Sequence, residues 1–66
     1  MKNNLKVQRA IKNLTQAELA KLIDVSRQTI NAMEGNKYVP STILALKIAK
    51  VFEQPVETIF QLEPED

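Results

Sequence analysis

The stretch TQAELAKLIDVSRQTI, residues 15–30, constrains the fold most, because it predicts two short helices separated by only three or four residues. Thr15 and Glu18 have the spacing of a capping box. In that motif the threonine hydroxyl accepts a hydrogen bond from the glutamate amide, and the glutamate carboxylate accepts one from the threonine amide. The first of the two helices is therefore expected to begin after Thr15 and to run to about Ile23.

The connection between these two helices forms a tight corner. Asp24 lies where the chain must reverse, at a position that commonly has a positive φ, which aspartate tolerates at some cost. Val25 fills the corner, and Ser26 is a strong N-cap for the next helix. That helix runs from Arg27 to about Glu34. A simple helical hairpin would have a longer apolar seam, so we expect the second of these helices to project from the domain.

Three further helices account for most of the remaining chain. Gly35 and Asn36 supply a stop for the helix that begins at Arg27, and Ser41 is an N-cap for the next one. Pro55 suits the first turn of a short last helix. The predicted helices cover about residues 5–12, 16–23, 27–34, 42–53 and 55–60. Such short connections leave no room for a domain boundary, so we expect one domain over residues 1–66.

Composition excludes several kinds of site. The 66 residues include neither cysteine nor histidine, which removes disulfides, zinc fingers, thiol nucleophiles and the usual imidazole base. A capping, pairing or surface role accounts for each of the glutamates Glu18, Glu34, Glu53 and Glu57. We therefore assign no catalytic residue, no metal site and no cofactor, and we expect that the protein is not an enzyme.

The chain has no segment that predicts insertion into a membrane. No apolar run approaches the roughly 20 residues of a membrane-spanning helix. The N-terminal residues MKNNLKVQR also lack the apolar stretch of a signal peptide. We therefore expect a cytoplasmic protein with no membrane partner.

Charge is distributed unevenly along the chain. Residues 1–40 carry seven basic and three acidic side chains, whereas residues 41–66 carry two basic and five acidic ones. This asymmetry is compatible with one surface that faces phosphate and another that faces away from it, although ordinary solvated charge would also produce it.

The stretch TQAELAKLIDVSRQTINAMEGNKYVPS resembles the helix-turn-helix of phage-repressor and Cro-type DNA-binding proteins, and the likeness extends over about residues 5–60. The matching positions are Gln16, Ala20, Val25, Ile30 and Glu34. Within that family the whole chain is similar to the small dimeric regulators of the cytolysin-repressor type. One departure is Asp24, where the family usually has glycine.

The resemblance implies an all-α fold, a compact five-helix bundle of the lambda-repressor-like type. It also implies a short antiparallel ribbon between the chain ends, NNLK and FQLE. The helix that begins at Arg27 would lie in the major groove of double-stranded DNA. The implied base contacts are Arg27, Gln28, Asn31 and Thr29, and the implied phosphate contacts are Gln16, Ser26, Asn36, Lys37 and Tyr38. Arg9 and Glu34 would form a structural ion pair.

Several of these residues have simpler explanations. Ser26 is better explained as a cap than as a DNA contact. Arg27 and Gln28 could be solvated polar residues, and Asn31 is equally consistent with a base contact and with a bystander. Tyr38 could serve mainly in packing.

Apolar residues near the C-terminus exceed what so small a domain can bury. We interpret the surplus as the interface of a homodimer, formed by part of the fourth helix with Val56, Ile59, Phe60 and Leu62. The alternative is that all of these residues belong to the core. A dimer would suit DNA binding, since two recognition helices about 34 Å apart can read a palindromic site.

The expected function is therefore that of a homodimeric transcription regulator, most simply a repressor, that binds a palindromic operator. No small-molecule ligand is implied. The alternative is an antitoxin or another protein-interaction module that neutralises a partner protein.

Overall fold

The computed structural model describes residues 1–66, which form five helices and a two-stranded ribbon. In chain order these are β1 (Lys2–Asn3), α1 (Leu5–Lys12), α2 (Gln16–Leu22), α3 (Arg27–Glu34), α4 (Thr42–Phe52), α5 (Val56–Ile59) and β2 (Phe60–Gln61). The predicted five-helix fold with a helix-turn-helix, formed here by α2 and α3, is confirmed, and so is the ribbon of the chain ends.

Side-chain caps fix where the helices begin. At α2 the capping box is complete: the Glu18 amide donates to the Thr15 hydroxyl at 3.0 Å, and the Thr15 amide donates to the Glu18 carboxylate at 2.8 Å. The hydroxyls of Ser26 and Ser41 each accept from the amide three residues further on, at 3.2 Å. Each bond satisfies an amide that has no partner within its helix.

The first four helices end in the same way, with a residue in the left-handed conformation. At α2 the Val25 amide donates to the Ala20 carbonyl at 2.9 Å and the Asp24 amide to the Lys21 carbonyl at 3.4 Å, which is a Schellman motif. The left-handed residues are Asn13, Asp24, Asn36 and Glu53, with φ between 55° and 60°. None of them is glycine. The predicted stop after α3 therefore depends on Asn36, since Gly35 has a φ of −85°.

The chain ends differ from the prediction by one residue at Phe60. We expected the last helix to include Phe60, but α5 ends at Ile59 and Phe60 is extended, with φ −118° and ψ 127°. The reason is the ribbon. Phe60 pairs with Asn3 in the antiparallel register, and the Asn4 amide donates to the Ile59 carbonyl at 3.0 Å. These hydrogen bonds hold Phe60 in an extended conformation, so α5 ends one residue earlier than the sequence predicts.

One apolar core receives residues from all five helices and from β2. Its members are Leu5, Leu19, Ala20, Ile23, Ile30, Met33, Leu44, Ile48, Phe52, Ile59 and Phe60. The longest helix, α4, has 11 residues, and none of the helices combines the length and hydrophobicity that crossing a bilayer requires.

We expect Asp24→Gly to raise the free energy of unfolding by about 0.5–1 kcal/mol. Glycine removes the steric cost of the left-handed conformation, about 1–2 kcal/mol, but adds about 0.5–1 kcal/mol of unfolded-chain entropy. Thermal and urea unfolding would measure the change. Asp24→Ala is the matched control, because it removes the same carboxylate and keeps a Cβ. If alanine stabilised the fold as much as glycine, the cause would be charge and not backbone conformation.

Candidate nucleic-acid interface

The helix α3 has one buried side and one polar, exposed side. Ile30 and Met33 lie in the core. Arg27, Gln28 and Asn31 are exposed on the other side of the helix. The sequence-predicted base contacts at these three positions are therefore together on one accessible surface, near the beginning of the helix.

The Glu34 carboxylate, at the end of α3, connects three parts of the domain. Arg9 of α1 donates to both carboxylate oxygens, from Nε to Oε2 at 2.6 Å and from Nη2 to Oε1 at 3.2 Å. Arg9 Nη1 also donates to the Leu14 carbonyl at 2.8 Å. Gln16 Nε2, on the first turn of α2, donates to Glu34 Oε1 at 3.0 Å. This two-point ion pair is charge-assisted and largely shielded from water, so it fixes α1 against α3.

The same network reaches the exposed side of α3 through Gln16. Its amide nitrogen lies 3.3 Å from Asn31 Oδ1, and its amide oxygen lies 3.5 Å from Arg27 Nη1. The predicted phosphate contact Gln16 is thus linked to two of the predicted base contacts. Hydrogen bonds therefore connect these exposed side chains to the Glu34 carboxylate.

Opposing effects act on the pKa of Glu34. Burial raises it, but hydrogen bonds from Arg9 and Gln16, with the positive charges of Arg9 and Lys6, outweigh burial and hold the pKa below its ordinary value of 4.5. Glu34 is therefore ionised at neutral pH and keeps its ion pair.

A cleft of about 440 Å³ lies beside α3, and its lining is almost entirely polar. The polar side chains that could meet a ligand are Lys6, Arg9, Gln16, Gln28, Asn31 and Lys37. Of the cations, Arg9 is held by Glu34, whereas Lys6 and Lys37 form no ion pair. The cleft therefore offers two free ammonium groups and several amides.

Lys6 lines the cleft, but it is not among the DNA contacts that the sequence predicts. A signal for it was present, because Lys6 and Arg9 are three residues apart on α1 and so lie on the same face of the helix. Once Arg9 is known to face α3, Lys6 must lie near the same cleft.

The remaining predicted DNA contacts differ in whether their side chains already have a hydrogen-bond partner within the chain. The Ser26 hydroxyl caps α3 and lies 3.0 Å from the Thr29 hydroxyl, so both groups already have a partner. Asn36, Lys37 and Tyr38 follow α3 and are all exposed. The Asn36 side-chain oxygen accepts from Asn3 at 2.9 Å.

The predicted dimer interface needs a correction at Ile59, which lies in the core of the single chain with an exposed fraction of 0% and so presents no side chain to a partner. Phe60 is also a core residue, with an exposed fraction of 8%, and its small exposed part lines an apolar groove. Leu62, also predicted for the interface, is 79% exposed, and Val39, Ile43 and Leu46 are 55–70% exposed. A groove of about 220 Å³ is lined by Val39, Pro40, Ala45, Leu46, Val56 and Phe60, among others. We refer to these exposed residues and this groove as the apolar face.

A family model described as helix-turn-helix matches residues 5–59, which is most of the chain. The chain belongs to the helix-turn-helix family. The predicted resemblance to the phage-repressor and Cro-type family is thereby confirmed.

Relatives match over the whole chain. The sequence is 56% identical to an uncharacterized HTH-type transcriptional regulator of Methanocaldococcus jannaschii, and all 66 residues of both proteins are aligned. It is 46% identical to the uncharacterized HTH-type transcriptional regulator YgzD of Bacillus subtilis, again over both full lengths. An uncharacterized HTH-type transcriptional regulator of Archaeoglobus fulgidus is 47% identical, over all of this chain and 93% of the relative.

The pKa of Glu34 makes the stability of this helix-turn-helix domain depend on pH. A carboxylate with a lower pKa in the folded chain stabilises the fold above its unfolded value, about 4.5, and this contribution is lost as pH falls through the folded-state pKa. We therefore expect the free energy of unfolding to decrease below about pH 4.5. Glu34→Gln should cost about 2 kcal/mol at pH 7, because Arg9 loses its charged partner, and should weaken the acid dependence.

Urea unfolding at a series of pH values would test this expectation. Glu57→Gln is the matched control, since Glu57 is exposed on α5 and forms no ion pair. A Glu34→Gln profile that coincided with the Glu57→Gln profile at every pH would contradict the role given to the Arg9–Glu34 pair.

Proposed function

We propose that the protein is a sequence-specific transcription regulator, more specifically a repressor, that binds a palindromic operator in double-stranded DNA as a homodimer. The observation that carries the proposal is the exposed polar side of α3, held by the Gln16 network beside a cleft with two unpaired lysines. Membership of the helix-turn-helix family and the names of the relatives support the same class of function.

The chemistry of α3 suits base recognition in the major groove. Arg27 can donate two hydrogen bonds to guanine O6 and N7, and Gln28 or Asn31 can pair with adenine N6 and N7. Each such pair discriminates against a wrong base by about 1–3 kcal/mol. Thr29 is half-buried, so its part in the proposal is limited to a methyl contact with thymine or a phosphate contact.

Phosphate binding is assigned to the groups around the two ends of the helix-turn-helix. Gln16 lies at the first turn of α2, where free amides and the helix dipole favour an anion. Asn36, Lys37 and Tyr38 form the second group, after α3. Ser26 is retained as a weaker contact because its hydroxyl caps the helix. To these we add Lys6, which lines the same cleft.

A homodimer is proposed because the apolar face is otherwise left in water. Four of its side chains, Val39, Ile43, Leu46 and Leu62, are more than half exposed. Val39 and Leu46 also line one apolar groove, and exposed apolar patches mark interaction sites. Val56 is half-buried beside them. A two-fold pairing through this face would present two α3 helices to one side of a duplex. Occupation of an operator in the path of polymerase would then repress transcription in the cytoplasm.

An alternative role, neutralisation of a partner protein such as a toxin, is favoured by a second apolar feature. Val7 and Ile11 lie one turn apart on α1 and are 55% and 70% exposed. This pair is outside the apolar face and the cleft. A stoichiometric complex lost on Val7→Lys but not on Leu46→Lys would support the alternative.

The proposal as a whole is tested by selection of bound duplexes from a random pool at about 150 mM salt, where non-specific phosphate binding is weak. We expect a palindrome whose half-sites are about one helical turn apart. Recovery of no sequence above background would contradict specific DNA binding, and recovery of a single half-site would contradict the dimer.

Gln28→Ala and Gln16→Ala are expected to have different sequence profiles. Loss of a base contact should relax preference at one position of each half-site, because the discrimination of about 1–3 kcal/mol there is removed. Loss of a phosphate contact should weaken binding to all sequences evenly. Binding to the selected site and to its single-base variants would measure both profiles. Identical profiles would show that the division into base and phosphate contacts is wrong.

Lys6→Gln should weaken binding to specific and non-specific duplexes alike. The slope of log K against log salt concentration is negative, and loss of one phosphate contact makes it shallower by about 0.9. Titrations between 50 and 200 mM salt would measure the slope, a range over which phosphate contacts dominate. Lys47→Gln is the control, because Lys47 lies on α4 beside Asp24 and outside the cleft. An equal change in both variants would mean that Lys6 acts only through net charge.

A further inference from the structure

We infer that Asn3 is a positioning residue for DNA binding, which orients the side-chain amide of Asn36 so that its N–H donors face a phosphate. The inference rests on the proposed function, because Asn36 is one of the proposed phosphate contacts. Asn3 lies in the N-terminal strand, 33 residues away in sequence, and does not itself line the cleft.

The amide of Asn3 is fully engaged by three groups. Its oxygen accepts from the Leu5 amide at 3.0 Å. Its nitrogen donates to the Met33 carbonyl and to Asn36 Oδ1, each at 2.9 Å. Both N–H bonds of this one side chain are therefore directed at the end of α3 and the residues that follow it.

These partners determine which way both amides point. The Leu5 backbone N–H can only donate, and the Met33 carbonyl can only accept, so the Asn3 oxygen and nitrogen cannot be exchanged. The Asn3 nitrogen must then meet an acceptor on Asn36, which is its side-chain oxygen. Two unambiguous backbone groups thus fix the orientation of an exposed side chain in a different part of the domain.

The consequence is that Asn36 has two free donors. Its side-chain nitrogen has no partner within the chain, and the residue is exposed. Its backbone is also fixed, since Asn36 is the left-handed residue of the Schellman motif and the following amide, that of Lys37, donates to the Ala32 carbonyl at 2.8 Å. A phosphate oxygen accepts hydrogen bonds only, so an amide held with its nitrogen outward is already in the binding orientation.

The position of Asn3 is itself fixed by the two-stranded ribbon of β1 and β2. Its backbone pairs with Phe60 in the antiparallel register, and the Asn4 amide donates to the Ile59 carbonyl at 3.0 Å. Both ends of the chain are therefore required to orient a contact that lies midway along it.

Loss of the Asn3 amide should weaken operator binding about two- to twelve-fold. The estimate is the cost of immobilising one side chain on binding, about 0.5–1.5 kcal/mol, converted at 1.4 kcal/mol per factor of ten. Asn3→Asp should have a similar effect. Aspartate keeps an acceptor for Leu5 but has no donor, so the Asn36 amide would turn its nitrogen inward and present an oxygen to the phosphate.

A double-mutant cycle separates positioning from general stability. We would measure the dissociation constant of the selected duplex for the wild type, Asn3→Ala, Asn36→Ala and the double variant, each at a temperature where thermal unfolding shows it to be folded. If Asn3 acts through Asn36, the double variant binds no more weakly than Asn36→Ala alone. Additive losses would overturn the inference, since Asn3 would then act independently of Asn36.

Asn13→Ala is the matched control. Asn13 is also an asparagine whose loss destabilises a helix end, because alanine is strained at its φ of 58°, but it makes no contact with Asn36. We expect it to lower the thermal midpoint with little change in affinity. An equal loss of affinity in this control would overturn the inference. Failure of the wild type to bind any duplex would instead overturn the proposed function itself.

Discussion

The ion pair between Arg9 and Glu34 is the interaction on which the candidate interface depends. It is the only ion pair that joins two helices near the exposed side of α3, and Gln16 is bound to the same carboxylate. Because the guanidinium also donates to the Leu14 carbonyl, the connection between α1 and α2 is fixed to the same point. An apolar contact here could hold the helices together, but it would not orient the polar groups of α2 and α3 relative to each other.

A second constraint lies in the backbone conformation at the ends of the first four helices, where the short chain changes direction. Each of the first four helices ends in a left-handed residue that is not glycine, and two of these, Asp24 and Glu53, are residue types that adopt this conformation at a cost. The Schellman hydrogen bonds compensate by satisfying the last carbonyls of each helix. Asp24 and Asn36 lie on either side of α3, so Schellman hydrogen bonds fix the backbone both before this helix begins and after it ends.

Most of the fold could be predicted from local signals, because caps and helical spacing act over a few residues. The capping box at Thr15, the corner at Asp24 and the cap at Ser26 all lie where the sequence predicts them. What could not be predicted were contacts between distant parts of the chain. Helical spacing marks Ile59 as apolar but does not tell whether its own chain or a partner covers it. The bonds from Asn3 to Met33 and Asn36 have no local signature at all.

The connection from α3 to α4 joins the polar cleft to the apolar face and fixes their positions relative to each other. Lys37 lies at the cleft, whereas Val39 and Pro40 line the apolar groove two and three residues later. The connection is held at one end by the Schellman motif of Asn36 and at the other by the Ser41 cap, and proline restricts its φ. In the proposed dimer, this backbone connection would fix the position of each α3 helix relative to the interface formed by its own chain. A regulator built in this way should discriminate operators by the spacing of their half-sites as well as by their bases.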